Sequence, residues 1–125
     1  MIESEWIFLY AAFGALGALL RYFVMVIFKP SQANLGLWLV NSLGSLLVGI
    51  AVGAYAVDWL PWATSSLAAA FCAGLTTFST LTVTVANSIA RGKTLSGIGL
   101  ISSQMTVGVG FAVVGYISTI SLFGA

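Results

Sequence analysis

Four apolar runs, each long enough to cross a bilayer, fill nearly all of this 125-residue chain, and three short polar stretches separate them. Roughly 20 consecutive apolar residues make a membrane helix. Lipid offers the backbone no hydrogen-bond partner, so each run must satisfy its own amides as an α-helix. The sequence therefore predicts an all-α integral membrane protein, one domain over residues 1–125, with spans near 6–28, 35–57, 64–90 and 95–122. At 60% hydrophobic and 6% charged residues, the chain lies well outside the composition of soluble domains.

The connections carry the orientation signal. Connection one, Lys29-Pro30-Ser31-Gln32-Ala33-Asn34, and connection three, Arg91-Gly92-Lys93, lie on one side of the bilayer and hold three cations. The N-terminus, connection two (Asp58-Trp59-Leu60-Pro61-Trp62) and the C-terminus hold neither Lys nor Arg. The positive-inside rule places both termini outside a cell inner (plasma) membrane, with Trp59 and Trp62 at the outer interface. Glu3 and Glu5 give no basic n-region, so the first span is expected to remain in the mature protein. Cys72, the single cysteine, falls in an apolar run and reads as packing. A net charge of +1 with no histidine offers nothing to nucleic acid.

One stretch departs from this pattern. Ala73-Gly74-Leu75-Thr76-Thr77-Phe78-Ser79-Thr80 sets a glycine and four hydroxyl residues around one Phe in the middle of the third span. Such a run predicts a broken helix, whose freed backbone groups face protein or an aqueous cavity. A half-helix starting there adds unpaired N–H groups and a positive dipole end.

Enzymatic chemistry finds no support in the spans, which hold no carboxylate pair, no histidine and no nucleophile beside a base. Proton-coupled export of the small multidrug type fits the size, but it normally uses an intramembrane acid. All three acids here lie in the terminus or a connection. What the spans do hold is neutral and donor-rich: Asn41, Ser79, Thr80, Gln104 and further Ser and Thr residues. Amide and hydroxyl donors replace an anion's hydration without a fixed charge that would trap it. The positive ring edge of Phe78 serves the same purpose. Each has a plainer alternative. Asn41 reads equally as an interhelical hydrogen bond, Phe78 alone as packing, and most hydroxyls as bonded to their own helix. Arg21 either snorkels to the inner interface or lines an anion-attracting vestibule.

Three stretches resemble the Fluc (CrcB) family of fluoride channels: Gly14-Ala15-Leu16-Gly17-Ala18-Leu19-Leu20-Arg21-Tyr22, Gly36-Leu37-Trp38-Leu39-Val40-Asn41-Ser42-Leu43-Gly44-Ser45, and Phe71-Cys72-Ala73-Gly74-Leu75-Thr76-Thr77-Phe78-Ser79-Thr80. The resemblance covers nearly the whole length. It implies an antiparallel dimer with narrow fluoride pores and a structural sodium ion at the dimer interface, held by backbone carbonyls at Ala73 and Thr76. It also implies that Asn41 and Phe78 line a pore, that Ser79 and Thr80 form a polar track, and that Arg21 lies toward a vestibule.

Two departures stand beside it. Where the family usually has a second Phe and then a Glu, this chain has Leu81 and Thr84, and on the fourth span Gly108 and Ala112 replace expected polar positions while Gln104 keeps an amide. Together with the fixed orientation, these altered pore positions favour a heterodimer with a homologous subunit of reversed loop charge, a homodimer being the other arrangement. The expected function is passive fluoride export and fluoride resistance, with membrane lipid and fluoride as partners. The competing readings are a small multidrug-type proton-coupled exporter and a non-conducting partner subunit that only completes the dimer.

Overall fold

The structure, a computed structural model, describes residues 2–124; residues 1 and 125 of the expected domain lie outside the described residues. It is all-α. Helix α1 spans Ile2–Ile27, a single 3₁₀ turn covers Pro30–Gln32, and α2 spans Ala33–Ala56. The third crossing is split into α3, Trp62–Leu75, and α4, Phe78–Ala90; α5, Thr94–Phe123, completes the chain. Four segments are long and apolar enough to cross a bilayer, the third being Trp62–Ala90 taken as a whole.

Proline and glycine set the connections. Pro30 opens the 3₁₀ turn, and Pro61 in extended backbone precedes α3, where its missing N–H costs nothing. Gly92 takes φ 77° in the tight turn between α4 and α5, a conformation that favours glycine. Between α2 and α3, Trp59 and Leu60 both donate their N–H to Ala54 O, at 2.9 and 3.1 Å.

Helix pairing is set by close backbone approach. α2 packs most extensively on α5, and α1 packs on α3. A side chain at Gly74 would collide with the Gly14 carbonyl of α1, and one at Gly17 with the Phe71 carbonyl of α3. Similarly, Gly49 faces the Ala112 carbonyl and Gly115 the Leu46 carbonyl at the α2–α5 crossing. With no hydrophobic drive between helices in lipid, van der Waals contact of this kind is what holds them together. α2 also touches α3, and α4 packs on α5. Leu37, Leu81 and Val85 form the buried cluster of α2 and α4, against Leu100 and Ile101 of α5.

The two ends of the bundle differ in chemistry. Trp59 stacks on Phe123 with centroids 4.3 Å apart, Trp6 meets Trp62 edge-on at 6.2 Å, and the Tyr10 hydroxyl lies 2.9 Å from Ser66 Oγ. These aromatics suit a headgroup boundary. The opposite end carries Lys29, Arg91 and Lys93.

Candidate functional site

The break in the third crossing is two residues wide. Thr76 (φ −79°, ψ 159°) and Thr77 (φ −146°, ψ 120°) are extended, and α4 restarts at Phe78. Thr77 caps the new helix: its Oγ1 accepts the Thr80 N–H at 3.2 Å and donates to Thr80 Oγ1 at 3.0 Å, with Ser79 Oγ 3.3 Å away. Threonine is among the residues favoured at this position.

Asn41, one helix away on α2, holds the extended backbone from outside. Its Oδ1 accepts the Thr77 N–H at 2.8 Å, and its Nδ2 donates to Thr77 O and to Gln104 Oε1, each at 3.3 Å. One side chain thus ties α2 to the break and to the middle of α5.

The break leaves the carbonyls of Ala73, Gly74, Leu75 and Thr76 without the i+4 N–H that each would meet in a continuous helix. In a continuous helix, the N–H of Thr77 would reach the carbonyl of Ala73, and that of Thr80 the carbonyl of Thr76. Here the first goes to Asn41 and the second to Thr77 Oγ1. The carbonyls of Ala73 and Thr76 are left to find partners elsewhere, with Ala73 exposed and Thr76 half-buried. Thr76 turns its hydroxyl back to Cys72 O at 3.1 Å, so its side chain is occupied while its own carbonyl is not.

A cavity of about 340 Å³ opens beside the break, between α2, α4 and α5. Asn41, Thr76, Thr77, Phe78 and Gln104 form its polar and aromatic wall, and Leu81, Gly108 and Ala112 line it as well. Gln104 is only 5% exposed, and its Nε2 has no hydrogen-bond partner. A buried amide donor left unmade costs roughly 1–3 kcal/mol. Phe78 lies at the rim, 61% exposed.

The structure thus gathers Asn41, Phe78 and Gln104 around one cavity, with Thr76 in its wall. Ser79 and Thr80 adjoin it through Thr77, in the exposed first turn of α4. Leu81 is 2% exposed and belongs to the core with Leu37 and Val85. Thr84 stands apart: its hydroxyl donates to Thr80 O at 2.8 Å, and its side chain lines a separate cavity toward the charged end. Arg21 is half-buried on α1 and lines neither cavity. The hydroxyls of Thr82, Ser103 and Thr106 are spent on their own helices.

Sequence reasoning underrated Thr77, which is buried and takes part in most of the polar bonds at the break. The available signal was a threonine directly before a helix restart.

A four-crossing bundle with a broken third helix, an amide-bound break and a polar-walled cavity beside it defines a polytopic membrane protein with a polar site at mid-span. The chain matches the family model described as CrcB-like protein, Camphor Resistance (CrcB), over residues 8–116, and belongs to that family. It is 36% identical to the fluoride-specific ion channel FluC of Nitrobacter winogradskyi over 118 residues, covering 89% of this chain and 94% of that protein. It is 37% identical to FluC 2 of Prochlorococcus marinus (85% and 76% covered) and 38% identical to FluC 1 of Thermobifida fusca (81% and 84%).

Proposed function

We propose that this chain is a subunit of a passive fluoride channel whose ion path passes the Asn41–Phe78–Gln104 cavity. The observation that carries the reading is that cavity itself, beside the break at mid-span, with the hydrogen-bonded amides of Asn41 and Gln104 and the ring of Phe78 in its wall. Relatives covering most of the chain are named fluoride-specific ion channels. The chain is a multi-pass membrane protein and not an enzyme, as its family membership and four crossings require.

The chemistry follows from what each group can do. Gln104 Nε2 donates a hydrogen bond to a small anion without binding it as a fixed cation would. Phe78 presents its ring edge at the rim and excludes water by bulk. α4 begins at Phe78, so its positive end faces the same region. Outward flow needs no coupled proton, since the membrane potential drives anions out of the cell. The acid inside a described span, Glu5, sits in the first turns of α1 at the end of its span, not at mid-membrane where a proton-coupled exporter would use it.

Assembly as an antiparallel dimer rests on an exposed polar face. Ala73, Phe78, Ser79 and Thr80 are exposed on the single chain, in the middle of a membrane crossing. Bare backbone groups at that depth cost several kcal/mol each, so a second subunit would cover them. The freed carbonyls of Ala73 and Thr76 fit a hard cation such as sodium, which takes neutral oxygen ligands, and pairing would bring two such sets together. Lys29, Arg91 and Lys93 at one end favour a single orientation in the plasma membrane, termini outward. That fixed orientation in turn favours a homologous partner with reversed loop charge.

Fluoride efflux from liposomes at symmetric pH tests these points, with this chain alone, the homologue alone, and both together. Fast efflux from the pair is expected. Efflux from none of the three would refute the channel reading, and fast efflux from this chain alone would refute the heterodimer. Efflux that tracks the homologue and ignores changes at Phe78 and Gln104 would leave this chain a non-conducting partner.

A further inference from the structure

Away from the break, a second cavity of about 270 Å³ lies where the ends of three helices meet, and it is lined by Asn34, Thr84, Asn87, Ser88, Arg91 and Lys93. Asn34 is on the first turn of α2, Thr84 to Ser88 are on the last turns of α4, and Lys93 directly precedes α5. The spans end at Ala90 and begin again at Thr94, which puts the cavity at the level where hydrocarbon gives way to headgroups.

Its hydroxyls are spent, but its amides and cations are not. The Thr84 hydroxyl donates to Thr80 O and the Ser88 hydroxyl to Thr84 O, so both are satisfied within α4. The remaining lining groups are two side-chain amides, one guanidinium and one ammonium. The described carboxylates, Glu5 and Asp58, lie toward the other end of the bundle, Asp58 following α2 roughly 33 Å along the helix from Asn34. Among the described residues, no carboxylate lines the cavity to neutralise its two cations.

The geometry points to a binding site for a phosphate group, most directly that of an anionic lipid headgroup, held by Arg91 and Lys93 and oriented by the amides of Asn34 and Asn87. A guanidinium, an ammonium and two amides around one cavity suit a tetrahedral anion with several acceptor oxygens. A single dehydrated halide would leave most of the space to water. Basic pockets between membrane helices at the headgroup level bind anionic lipids in this way. The cavity is separate from the Asn41–Gln104 site, so the inference stands whether or not fluoride passes there.

Phosphatidylglycerol titrated against the purified full-length protein in neutral detergent, with bound lipid counted by native mass spectrometry, tests the site. Arg91→Gln and Lys93→Gln should each weaken binding about fivefold. Asn34→Ala and Asn87→Ala should weaken it severalfold. Lys29→Gln, a cation at the same end but outside the cavity, should leave it unchanged. Millimolar inorganic phosphate distinguishes the source: displacement of lipid makes the free ion a second ligand of the pocket, and its failure to displace assigns the pocket to lipid alone. The proposal is overturned if Lys29→Gln weakens binding as much as Lys93→Gln, or if the two asparagine variants bind like the parent, because attraction would then be diffuse surface charge.

Discussion

Asn41 holds Thr77 by both backbone groups, accepting its N–H at 2.8 Å and donating to its carbonyl at 3.3 Å. A side-chain amide thus takes the place of a backbone neighbour, and the break in the third crossing is bonded like a strand pair rather than left open. The same amide bonds Gln104, so the wall of the cavity and the shape of the break depend on one residue.

Asn41→Ala should therefore damage two properties together. Thr77 is 6% exposed, and its N–H would lose its acceptor. The expected loss is about 1–3 kcal/mol of stability, visible as a lower Tm in detergent, together with loss of fluoride efflux. Unchanged Tm would show that the break keeps its shape without Asn41.

Gly74→Ala should fail more severely. The added methyl would meet the Gly14 carbonyl of α1, which cannot rotate away as a side chain would. Separating α1 from α3 at this crossing costs about 1–3 kcal/mol or more, and low yield of folded protein is the expected result. Gly99→Ala is the control, since nothing lies within 4 Å of that position.

Leu81 is a test of how a departure from the family pattern is read. The resemblance to the fluoride-channel family implies a second ring at this position, which would make Leu81 a gap in a pore wall. The structure packs it against Leu37 and Val85, so Leu81→Ala should cost about 2–5 kcal/mol as a core truncation, whereas Leu81→Phe must overfill the same cluster at about 1–3 kcal/mol. If Leu81→Phe instead left the Tm unchanged, the cluster would have room that the packing does not suggest.

Much of this was legible in the sequence, and the limits are physical. Hydropathy marked the spans, because lipid selects composition directly. Four hydroxyls and a glycine marked the break, because only a break requires them there. The partners of Asn41 were not legible: Thr77 and Gln104 lie 36 and 63 residues away, and in helices apolar on nearly every face the periodicity does not say which side meets which neighbour. For the same reason the inward register of Leu81 and the convergence of Arg91, Lys93, Asn34 and Asn87 on one cavity required the fold.

Sodium dependence should be specific and stabilising. If the carbonyls freed at Ala73 and Thr76 hold a cation in the assembled protein, replacing sodium by N-methylglucamine should lower its Tm, because about 2.7 kcal/mol of stabilisation is lost at a sodium concentration one hundred times Kd. A Tm indifferent to sodium would argue that those carbonyls are satisfied by protein or water.

Orientation is checked by a reporter at each terminus. Both ends should label from the outside only, given Lys29, Arg91 and Lys93 at the opposite end. Equal labelling from both sides would remove the basis for a fixed subunit and a heterodimer.

The most direct measurement is the rate of voltage-driven fluoride efflux from liposomes carrying Gln104→Leu beside the parent, each in the same assembled form. Leucine removes the buried Nε2 that has no partner in the chain and keeps comparable bulk. If fluoride passes the cavity, the lost hydrogen bond to the ion is worth about 1.5–3 kcal/mol, and the rate should fall about tenfold or more while the protein stays folded. An unchanged rate in a folded Gln104→Leu protein would contradict the account, because the ion would then pass somewhere other than the cavity that Asn41, Phe78 and Gln104 enclose.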